Sequence, residues 1–62
     1  MYKKFAELLE KTNITPYQVA KDTGIGQSTL SEWKSGRINR LGIDNLKILA
    51  DYFGVSIEYF LD

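Results

Sequence analysis

The sequence predicts an all-α domain of five short helices, and three observations carry that expectation. Apolar residues recur at i, i+3 and i+4 in separate segments, the spacing of one buried helical stripe: Phe5, Leu8 and Leu9, then Leu46, Leu49, Ala50 and Phe53. Asn13, Gly24, Gly36 and Gly54 punctuate the chain where such segments end. No segment sustains the alternation of a strand, and no hairpin turn separates two apolar runs.

The first helix runs from Met1 to about Thr12. Lys3, Lys4, Glu7, Glu10 and Lys11 cover the side opposite its stripe. Glu7 and Lys11 form a favourable i, i+4 pair, worth about a few tenths of a kcal/mol. Asn13 breaks this helix, and Ile14 staples the turn against the second. Thr15 is a good N-cap, and Pro16 follows at the first helical position, where a missing N–H costs nothing. The second helix then passes through Val19 and Ala20 to about Thr23, and Gly24 takes the left-handed conformation that stops it. Ile25 plugs the space before the third helix. That helix starts at Gly26 or Gln27, buries Leu30 and Trp33, and ends at Gly36.

The run Arg37 to Gly42 has no helical period and reads as a loop. The fourth helix extends from Ile43 or Asp44 to Phe53, with Asp44 suited to its positive N-terminal end. Gly54 stops it. Ser56 caps a short last helix in which Ile57, Phe60 and Leu61 share one face. Phe5, Leu8, Phe53 and Phe60 are expected in the core. Trp33, at i+3 from Leu30, reads as core rather than as a stacking platform.

The 62 residues set a ceiling of one domain, spanning 1–62, with a core too thin for an enzyme cleft. The chain has no cysteine, hence no disulfide and no thiolate chemistry. With no secretion signal, the cytoplasm is the expected location. No apolar run approaches a membrane span. There is no histidine, and the Ser and Asp residues have no evident base to complete a triad. No carboxylate cluster has metal spacing, and Gly24-Ile25-Gly26 is too short for a dinucleotide fingerprint. The sequence therefore predicts no enzyme, no metal, no cofactor and no small-molecule ligand.

Two short helices joined by a tight glycine turn make a helix-turn-helix at the second and third helices. The exposed face of the third reads Gln27, Ser28, Ser31 and Glu32, with Thr29 and Lys34 beside it. These are hydrogen-bonding side chains of modest length, as reading of base edges requires. Eight basic and eight acidic residues leave no net charge, which counts against nucleic-acid binding. Their distribution counts the other way. Lys34, Arg37 and Arg40 lie between Trp33 and Ile43 with no acid among them, immediately after the candidate reading helix.

The spacing of Ala20, Gly24, Ile25 and Leu30 resembles the helix-turn-helix of the phage lambda repressor and Cro type, the xenobiotic-response-element family. The segment Leu46 to Leu61 is similar to the usual end of that family, so the resemblance covers nearly the whole chain. It implies a lambda-repressor-like domain that binds a double-stranded DNA operator as a small phage or bacterial repressor, with the third helix in the major groove. The alternative is the same fold used as an antitoxin or antirepressor partner. The chain is expected to be either an excised N-terminal domain or a small protein that forms a homodimer through its last helix.

On that resemblance Gln27 and Ser28 occupy the deepest turn of the reading helix. Gln27 can bond adenine N6 and N7, although both residues could instead cap the helix. Glu32 can accept from cytosine N4, repel phosphates at wrong sites, or pair with a lysine. Thr29 can touch a thymine methyl or lie against the protein, and Ser31 completes the base-reading set. Lys34, Ser35, Arg37 and Arg40 match the places that grip the DNA backbone in the family. Two departures stand out. Many members hold a phosphate with a glutamine just after the N-cap of the second helix, where this chain has Pro16; Tyr17 or Gln18 is the expected replacement, since both can donate. Many members also pair a glutamate near the end of the third helix with an arginine of the first. The matching places here are Lys34 and Leu9, which leaves Lys34 free to reach a phosphate.

Overall fold

The structure, a computed structural model, describes residues 1–61. Five helices follow one another, and no strand occurs among the described residues: α1 (Tyr2–Thr12), α2 (Pro16–Thr23), α3 (Gln27–Ser35), α4 (Ile43–Phe53) and α5 (Glu58–Leu61). The all-α fold class expected from the periodicity is the one observed.

Local chemistry sets the boundaries. α1 buries Phe5 and Leu8 and stops at Asn13, which adopts φ 60° and ψ 33°. That left-handed conformation is strained for most side chains, and asparagine is among the few that visit it routinely. Thr15 caps α2: its Oγ1 accepts the Gln18 N–H at 3.1 Å, one of the donors a helix start leaves unpaired. Gly24 closes α2 at φ 82°, with its N–H donating to Ala20 O. The chain then turns inward at Ile25, only 5% exposed, whose N–H is held by Thr23 Oγ1 at 3.2 Å.

Packing follows from these turns. α2 lies against both α3 and α4, and α1 lies against α5. Phe5, Val19, Leu30, Trp33, Leu46, Leu49 and Phe60 form the centre, each 3% exposed or less. Full burial of side chains of this size contributes about 1.5–3 kcal/mol each. The Phe5 and Trp33 rings lie 5.3 Å apart, and Tyr2 meets Trp33 edge-on at 5.2 Å. Trp33 Nε1 is buried with no hydrogen-bond partner among the described residues, an unfavourable feature set against the burial of the whole indole.

Two expectations need correction. Leu61 does not share the buried face of the last helix; it is 45% exposed, because α5 is a single turn whose inward position Phe60 already fills. Phe53 ends α4 at the rim and is half-buried, meeting Phe5 edge-on at 6.0 Å. Ser56 supports α5 through its backbone, its carbonyl accepting the Tyr59 N–H at 3.1 Å.

Candidate nucleic-acid interface

α3 turns about 100° per residue, so burying Leu30 and Trp33 decides where every other side chain points. The outward face carries Ser28, Ser31, Glu32 and Ser35, all exposed. Gln27 and Lys34 sit on one flank and are exposed too. Thr29 falls on the opposite flank and is half-buried, so of the base-reading candidates it is the least available. Ser35 Oγ donates to Glu32 O at 3.1 Å, which ties that hydroxyl to the last turn of its own helix.

Gln27 stands where two depressions meet. One is a small cleft of about 70 Å³ lined by Tyr2, Pro16, Gln27, Leu30, Ser31 and Lys34. The other is an open groove lined by Tyr17, Lys21 and Gln27 with the turn residues around Gly24. A candidate base reader, Gln27, is thus brought beside Tyr17, Lys34 and Ser31. Tyr17 is 60% exposed despite its size. Gln18 is placed differently. Its Nε2 donates to Asp22 Oδ1 at 2.8 Å, so one of its two amide hydrogens is engaged, next to a carboxylate.

The loop after α3 is anchored at its two apolar residues. Ile38 is half-buried and Leu41 is 4% exposed, while Arg37, Asn39 and Arg40 remain exposed between and beside them. The Arg37 N–H donates to Glu32 O at 2.9 Å, continuing the C-terminal cap that Gly36 begins at φ 86°. The loop backbone is therefore held on both sides of the arginines, and the guanidinium groups are left to solvent.

Sequence reasoning passed over three contributors. Tyr2 lines the cleft beside Lys34, Lys21 lines the groove beside Gln27, and Leu41 anchors the basic loop. Lys21 had a usable signal, since it lies one turn from Tyr17 on the same face of α2.

The described residues include no group of three or more His, Cys, Asp or Glu able to hold a metal ion. Nor is any described helix long and apolar enough to cross a membrane. The outer face of α3 offers donors and acceptors, and the loop offers cations.

A family model described as Helix-turn-helix covers residues 5–60. Neither the curated proteins nor the solved structures contain a significant match.

Proposed function

The chain belongs to the helix-turn-helix family of the lambda-repressor type, whose members bind double-stranded DNA, and from this premise we propose that it is a sequence-specific transcriptional repressor that reads the major groove with α3. What supports the reading is the outer face of α3. Gln27, Ser28, Ser31 and Glu32 stand exposed on a helix fixed by two buried anchors, Leu30 and Trp33. Reading base edges requires polar side chains held in register by a rigid scaffold, and this face has that form.

Each group has a role in this reading. Gln27 bonds adenine N6 and N7, while Ser28 and Ser31 add shorter contacts. Glu32 accepts from cytosine N4 or keeps phosphates of wrong sites away. Lys34, Arg37 and Arg40 neutralise phosphates flanking the groove, and Tyr17 donates to one from the start of α2. With no net charge on the chain, the local cation cluster has to supply the electrostatic grip, and binding by a single domain is expected to be weak.

The test is selection from a pool of randomised DNA duplexes, followed by sequencing. A single enriched motif supports the reading. An unenriched pool at low salt would remove sequence-specific recognition from it.

A second reading, the same fold as a protein-interaction module, draws on Ile48 and Leu61, which are 41% and 45% exposed. A homodimer that places two copies of α3 on two half-sites is the form in which both readings hold together. Sedimentation of the purified chain with and without the selected duplex tells these arrangements apart.

A further inference from the structure

We draw no further inference here: the strongest candidate, the open groove where α4 runs into the turn before α5, lined by Ile48, Val55 and Ile57 with Lys47 and Asp51, carries nothing because nothing in the structure shows what covers it, and a second copy docked there restates the homodimer already considered above.

Discussion

Tyr52 Oη donates a 2.6 Å hydrogen bond to Asp22 Oδ2, joining α4 to α2 across 30 positions of the chain. The other carboxylate oxygen of Asp22 takes the Gln18 amide at 2.8 Å. Asp22 thus fastens the first helix of the helix-turn-helix to the helix behind it. Tyr52→Phe should lower the melting temperature modestly and leave the helical circular dichroism unchanged. An unaltered melt would mean that apolar packing alone sets how α2 sits on α4.

The same bond has an alkaline signature. Donation to Asp22, with burial and the nearby negative charge, raises the Tyr52 pKa above its ordinary value near 10.0. A group whose folded pKa is raised contributes stability that is fully present below the unfolded pKa and lost as pH rises through the folded one. The stability difference between the parent and Tyr52→Phe should therefore be constant below about pH 10 and shrink above it. Paired thermal melts across that range make the measurement, and a difference that widens with pH would contradict it.

Electrostatic grip is assigned to Lys34, Arg37 and Arg40, all of them exposed. Alanine at each should weaken binding to selected and random DNA alike. It should also flatten the salt slope by about one unit per residue. Three unchanged slopes would remove these residues from the interface.

Base reading separates from grip in its response to sequence. Gln27→Ala should cost roughly 1–3 kcal/mol on the selected duplex and much less on random DNA. Ser28→Ala and Glu32→Ala should also alter site preference without altering the thermal melt, since all three residues are exposed on α3. If all three variants keep the parent's preference, α3 is not the reader and the protein-partner reading moves ahead.

Core and loop should respond differently to truncation. Leu49 is 0% exposed, and Leu49→Ala should cost about 2–5 kcal/mol, enough to unfold much of so small a domain. Trp33, 2% exposed, should emit blue-shifted fluorescence that moves red in step with that unfolding. Leu41→Ala should destabilise as well, and its DNA affinity should fall further than the loss of folded protein explains, because Arg37 and Arg40 lose their anchored backbone. Affinity measured per folded molecule by circular dichroism and titration distinguishes the two losses; equality would make Leu41 a core residue and nothing more.

The sequence by itself determined the helices. Thr15 before Pro16, asparagine at 13 and glycine at 24, 36 and 54 act within one or two turns of chain, and the observed boundaries fall at those residues. Periodicity also determined which face of α3 points outward, because burying Leu30 and Trp33 leaves one direction for Ser28, Ser31 and Glu32. Tertiary structure decided what each buried face meets. A stripe of apolar residues announces that a side is covered but not by what, so Leu41 sinks into the core from an aperiodic loop and Leu61 stays out of it at the end of a helix too short to bury two residues. The Tyr52–Asp22 bond and the placing of Tyr2 beside Gln27 and Lys34 depend on helices far apart in sequence coming together. Caps and periods act through near neighbours and can be read in order along the chain; contacts between distant segments exist only once the core has chosen its packing.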